Sequence, residues 1–269
     1  MALNVFNHEF KIKLRSSIGW SMAVAALILV FSAMFSAISG QVQSLNDFLA
    51  NYPKELLIAF GLNGVDLSSV LGFFGFIFLF VQICLAIQAA SYGFSLTSVE
   101  EADRTADFLL TKPVKRTQIL TSKLLAAVAG LTVTNAAVWL SSFVFLNVFK
   151  GDNTFDSSAL AILFATIIVF QLFFLGVGLG VSLLVRRIRS VIPYSLALAF
   201  GMYVLNAFGS QLGTSILEKI TPFKHFEPGY VLAHKGYDPA LVSISVVVIL
   251  VSIAGAYYLY SRRDIPAVS

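Results

Sequence analysis

The sequence predicts an all-α integral membrane protein with six transmembrane helices, and three observations carry that prediction. Hydrophobic residues make up 58% of the 269 positions and charged residues only 12%, about half of the roughly 25% charged content of soluble domains. The mean hydropathy is +0.85. Six stretches, 16–46, 67–99, 124–149, 157–185, 190–217 and 239–261, contain no Asp, Glu, Lys or Arg. Each exceeds the roughly 20 residues that cross a bilayer. Backbone groups in lipid must pair within their own segment, so stretches of this length are read as helices.

Residues 1–17 come first. They place Leu3, Phe6, Phe10 and Leu14 at helical spacing, with Lys11, Lys13 and Arg15 around them. That pattern is expected for an amphipathic helix lying in the membrane interface. A cleaved signal peptide is the rival reading, disfavoured because the apolar run that follows is long for an h-region. The second apolar stretch exceeds one crossing and is expected to continue as helix toward Glu100. The loop 47–66 is mildly amphipathic and reads as a short surface helix, and 151–156 as a turn. In 212–238, Leu212, Ile216, Ile220 and Phe223 keep a helical period that Pro222, Pro228 and Gly229 interrupt. Two readings stay open there: a surface segment, or a broken hairpin that re-enters the membrane with its open backbone buried in protein.

Orientation follows from the basic residues. The N-terminus, the 100–123 segment, Arg186/Arg187/Arg189 and Arg262/Arg263 hold 13 of the 18 Lys and Arg; Lys54, Lys150, Lys219, Lys224 and Lys235 lie in the alternate loops. Both termini are therefore expected in the cytoplasm.

The most charged stretch is EEADRTADFLLTKPVKRTQILTSK, Glu100 to Lys123. Ser98 and Glu101 have capping-box spacing, and Glu100, Glu101 and Asp103 place negative charge where a helix N-terminus is positive. Pro113 disfavours helix at Lys112 and ends the segment. Phe108, Leu109 and Leu110 form an apolar knob between charges, which reads as a short helix made to touch another protein.

Catalytic patterns are missing. His8, His225 and His234 are far apart, no GxxxxGK[ST] motif occurs, and the single cysteine, Cys84, lies inside an apolar run. Gly176 and Gly180 have GxxxG spacing and read as a close helix contact. The polar residues of the spans are Gln82, Gln88, Asn135, Gln171, Asn206 and Gln211. They either line a pathway or bond between helices. The spans carry no Asp, Glu, Lys or Arg, which argues against a proton- or sodium-coupled carrier. The basic residues follow topology rather than forming a patch, so no nucleic-acid partner is expected.

On these residues the chain resembles the permease subunits of the ABC-2 type (type V exporter-like) transporters. Glu101, Thr105, Phe108 to Leu110, Pro113, Val114, Arg116 and Ile119 to Leu120 match the pattern of that family's first cytoplasmic loop, with Arg104 where a glycine is frequent. TPFKHFEPGYVL resembles the family's outer segment and YYLYSRRDI its terminal end. The resemblance implies that 1–17 is an elbow helix and that 97–116 is the coupling segment between spans 2 and 3. It implies a second permease chain, identical or paralogous, in a bacterial plasma membrane. It also implies a separate ABC ATP-binding subunit, contacted through Glu100, Glu101, Asp103, Arg104, Asp107, Phe108, Leu109, Lys112, Pro113 and Arg116. ATP and Mg would bind that subunit; none is expected in this chain. Arg186, Arg187 and Arg189 read as a second cytoplasmic contact or as charges meeting anionic headgroups. The expected cargo is an amphipathic or hydrophobic peptide, antibiotic or lipid. The alternative is a non-transporting scaffold, sensor or immunity subunit bound to the same ATPase, and an intramembrane enzyme is disfavoured.

Overall fold

The computed structural model of the chain describes residues 2–38, 51–53, 57, 66–102, 115–185, 188–212 and 215–262. Six long helices dominate: α1 (Ala2–Ile38), α2 (Val70–Ala102), α3 (Arg116–Phe149), α4 (Ser157–Leu184), α5 (Val191–Leu212) and, last in the chain, α9 (Pro239–Arg262). Each is long and apolar enough to cross a membrane. Between α5 and α9 lie three short helices, α6 (Ser215–Ile220), α7 (Pro222–His225) and α8 (Pro228–His234). The described residues form an all-α integral membrane protein.

Local chemistry sets the boundaries. Asp156 caps α4 by accepting the Ser158 amide at 2.8 Å. Asp238 does the same for α9, accepting from Ala240 at 2.8 Å. Pro222, Pro228 and Pro239 each stand first in their helices, where the missing N–H would have been unpaired anyway. Gly151 closes the α3–α4 turn at φ 59°, a conformation that suits glycine.

α2 is the hub of the bundle. It packs against α4 most extensively, against α1 and α5 on its flanks, and against α8 near its start; α1 also lies along α3, and α9 along α4. The α2–α4 approach depends on two glycines. A Cβ on Gly93 would lie 2.3 Å from the Leu175 carbonyl, and one on Gly178 would lie 2.9 Å from that of Ala90. Gly176 and Gly180 face Ser252 of α9 at ordinary contact distances, with nearest atoms at 3.6 and 3.9 Å. The closest helix contact is thus on the opposite face of α4 from the GxxxG pair.

Two sequence expectations change. α1 runs unbroken from Ala2 to Ile38, with no helix boundary at residue 17. Lys13, expected among the interfacial charges, is buried with Ser17 against α2 and α3. At 37 residues this helix spans about 55 Å, well beyond the roughly 30 Å of hydrocarbon. Likewise α2 is helical through Ala102, so Ser98 lies inside a helix rather than at a cap. Glu100 and Glu101 close α2 instead of opening a new helix. The amide of Ser98 is committed to the continuing helix, which leaves no free N-terminus for a capping box to serve. The amphipathic helix expected in 47–66 lies largely outside the described residues.

Candidate functional site

Two polar regions bracket the apolar core. The end of the bundle that carries most of the arginine and lysine, the basic end, is crossed by side-chain ties that converge on α2. Lys13 of α1 donates to the Ser95 hydroxyl at 2.6 Å. Lys123 of α3 donates to the Leu96 carbonyl at 2.9 Å. Thr97 meets Ser182 of α4 at 2.8 Å, and Ser91 donates to Ser195 of α5 at 2.8 Å. Tyr92 donates to the Lys13 carbonyl at 3.1 Å and meets the Ser17 hydroxyl at 2.9 Å, while Ser17 donates to the Gly130 carbonyl at 2.8 Å. Four neighbouring helices are therefore pinned to the last ten residues of α2 with described side chains. The chain leaves that helix directly into 103–114.

At the opposite end the segment after α5 folds back into the bundle. The Thr221 hydroxyl donates to the Met202 carbonyl at 2.8 Å, ten residues before the end of α5. Gln82 donates to the Phe226 carbonyl at 2.8 Å, twelve residues into α2. At 1.5 Å per residue these contacts lie roughly 15–18 Å from the helix ends. Phe223, 1% exposed, packs its ring 5.2 Å from Phe170, 5.9 Å from Phe174 and 5.8 Å from Tyr203. His225 is held on both ring nitrogens, Nδ1 2.6 Å from Ser245 and Nε2 3.1 Å from the Lys219 carbonyl. A carbonyl only accepts, so Nε2 carries a proton. On the rim, Lys235 and Asp156 form an ion pair at 2.6 Å between the α8–α9 and α3–α4 turns. The Lys235 ammonium, and then Ser158, hold the Asp156 carboxyl well below the usual carboxylate range.

The arrangement is a helical bundle with an aromatic closure at one end and a rigid, polar-tied hub helix at the other. Among the described residues no group of His, Cys, Asp and Glu is placed to hold a metal ion. The profile described as ABC-2 family transporter protein matches residues 3–265, which takes in all six long helices. The chain belongs to the ABC-2 transporter family. Comparison with curated proteins returned no significant match. In this family the membrane chain is the permease subunit of an ABC transporter and typically non-catalytic, associated with an ABC ATP-binding subunit.

The ABC-2 permease places its sequence-derived candidates unevenly. Asp103, Arg104, Asp107, Phe108, Leu109, Lys112 and Pro113 lie outside the described residues, as do Arg186 and Arg187. Glu100 and Glu101 end α2, and their side chains are not described. Arg116 opens α3 and Arg189 is exposed between α4 and α5. Gln82 bonds the Phe226 carbonyl in the link between α7 and α8, and Gln88 makes an interhelical bond, donating to Thr134 of α3 at 2.8 Å. Asn135 and Gln171 are buried. Asn135 Oδ1, both amide atoms of Gln171 and Asn206 Oδ1 have no partner among the described residues. Gln211 falls in the last turn of α5 and its side chain is not described.

Sequence reasoning missed the buried lysines. Lys13 and Lys123 stand just outside apolar runs and read as interface charges, yet only 7% and 3% of their surface is exposed. Their spacing carried a signal: Lys13 and Ser17 are one turn apart, and Lys123 is seven residues before Gly130, so each polar head falls on the face that meets α2. Both lysines lie outside the six charge-free stretches, in the parts of α1 and α3 that extend beyond them.

Proposed function

We propose that this ABC-2 permease forms the translocation pathway of an ATP-driven exporter as a dimer of permease chains. Both termini and the 97–116 segment face the cytoplasm. There the segment docks on a separate ATP-binding subunit, with Phe108 and Leu109 as buried anchors and the surrounding charges as a specificity rim. The 212–238 segment re-enters the far leaflet, a reading that its contacts with Gln82, Met202 and Phe170 support.

One observation carries the coupling. α2 is a single 33-residue helix that leads straight into the segment and is tied to four neighbours at that end. A displacement of the segment therefore moves the hub rather than a loose loop. Hydrolysis belongs to the partner, whose ATP and Mg sites this chain does not supply. The buried amides Asn135 and Gln171 are the candidates to meet polar atoms of an amphipathic peptide, antibiotic or lipid cargo.

Replacing Phe108 and Leu109 by Asp is the test. The double variant is expected to insert normally and to lose the ATP-binding subunit on purification. Retention of that subunit in full amount would overturn the docking assignment.

A further inference from the structure

Among the ties at the basic end is an ionic cluster, Glu9, Lys13 and Lys123, whose charges the permease reading leaves unexplained. Lysines are almost never fully buried unless paired, and two are buried here within one layer. Lys123 Nζ lies 3.7 Å from Glu9 and donates to the Leu96 carbonyl at 2.9 Å. Lys13 Nζ donates to Ser95 at 2.6 Å and sits 4.8 Å from the centre of the Tyr92 ring. The two ammonium groups thus end on consecutive residues of α2.

The placement relative to the docking segment is symmetrical. Leu96 lies six residues before Ala102, where α2 ends, and Lys123 lies seven residues after Arg116, where α3 begins. The two stems flanking 103–114 are therefore fastened to each other at one height, and Glu9 and Lys13 fasten both to α1. Adhesion alone does not call for charge, because apolar side chains of similar volume hold helices as well or better than a buried ion pair. Directional bonds to one hydroxyl and one carbonyl do what leucines do not: they fix the axial register of three helices.

We propose that Glu9, Lys13 and Lys123 are positioning residues of a junction that makes α1, the end of α2 and the start of α3 move as one body when the ATP-binding subunit moves 103–114. The proposal rests on the permease reading. Without the junction the segment would still dock, but its displacement would be absorbed between the stems.

The test uses the complex of the full chain with its ATP-binding subunit in nanodiscs. Ser195, buried and bonded to Ser91, is replaced by Cys in a Cys84→Ser background, and maleimide labelling is timed with and without MgATP and vanadate. In the parent complex nucleotide should change the labelling rate about tenfold, within the usual range of coupling between sites. Glu9→Gln and Lys123→Met should keep the subunit bound with an unchanged KM for MgATP, yet cut the nucleotide effect below about twofold. Lys123→Arg should restore most of it. If Lys123→Met fails to fold, Glu9→Gln, which leaves the Lys123 bond to Leu96 in place, carries the same test.

Variants that keep the full nucleotide response overturn the junction. So does a response that falls only in step with thermal stability and is not rescued by arginine. A parent complex with no bound ATPase, or with no nucleotide response at all, removes the permease reading and the junction with it. That outcome is distinguished by its appearance before any variant is made.

Discussion

Phe223→Ala is the sharpest probe of how the far end is closed. The ring is 1% exposed and touches three aromatic neighbours from two long helices at 5.2–5.9 Å. Emptying such a site costs 3–5 kcal/mol in water-soluble cores through transfer and cavity terms. Between membrane helices the transfer part is smaller, because lipid is as apolar as the core, and the packing part remains. The expected loss is therefore about 3 kcal/mol, near the lower edge of that range. For a chain of this size it corresponds to a fall of roughly 6–12 °C in thermal midpoint. Phe208 on α5 is the control, since it is 55% exposed, and its replacement by Ala should move the midpoint by no more than about 2 °C. Thermal unfolding of both variants in the same detergent, followed by size exclusion, decides. If Phe223→Ala melts within about 2 °C of Phe208→Ala, the segment does not plug the bundle and the re-entrant reading fails.

Other outcomes follow from single contacts. Gly93→Ala should force α2 from α4, because its Cβ would lie 2.3 Å from the Leu175 carbonyl; loss of the folded peak in size exclusion is expected. Gly176→Ala, with its nearest atom at 3.6 Å, should be tolerated. Asp156→Asn should lower the midpoint at pH 7. Its carboxyl is shifted down by Lys235 and Ser158, so the stability it adds is present above the ordinary carboxyl pKa of about 3.9 and is lost as pH falls. The difference from the parent should therefore shrink below about pH 4 and in high salt. A reporter fused after Ser269 should be active on the cytoplasmic side, and activity on the opposite side would break the proposed orientation.

The long helices were legible because lipid imposes one requirement on every crossing: enough consecutive residues without charge. The predicted stretches 157–185 and 239–261 meet the observed Ser157–Leu184 and Pro239–Arg262 within a residue at each end. That rule is silent about where a helix continues into water. The surplus length of the second run did signal that α2 continues toward Glu100, as it does through Ala102, whereas nothing signalled that residues 2–15 join the first run in one helix. Side-chain burial was less legible. Lys13 and Lys123 look like interface charges one residue at a time, and only the three-helix arrangement reveals the Ser95 hydroxyl and Leu96 carbonyl that accept from them. Gly93 gave no motif at all; its role depends on which face of α4 it meets. The proposed docking residues from Asp103 to Pro113 were legible only as a charged, apolar-knobbed motif and lie outside the described residues; the structure adds the helix that ends at Ala102 just before them.

The central claim is that this ABC-2 permease works with a separate ATP-binding subunit. The most direct measurement is purification of the tagged chain from its native membrane in mild detergent, with every co-purifying protein identified and quantified. An ABC ATP-binding subunit in equal amount with the permease is the predicted result. A monodisperse, folded preparation with no such subunit would contradict it.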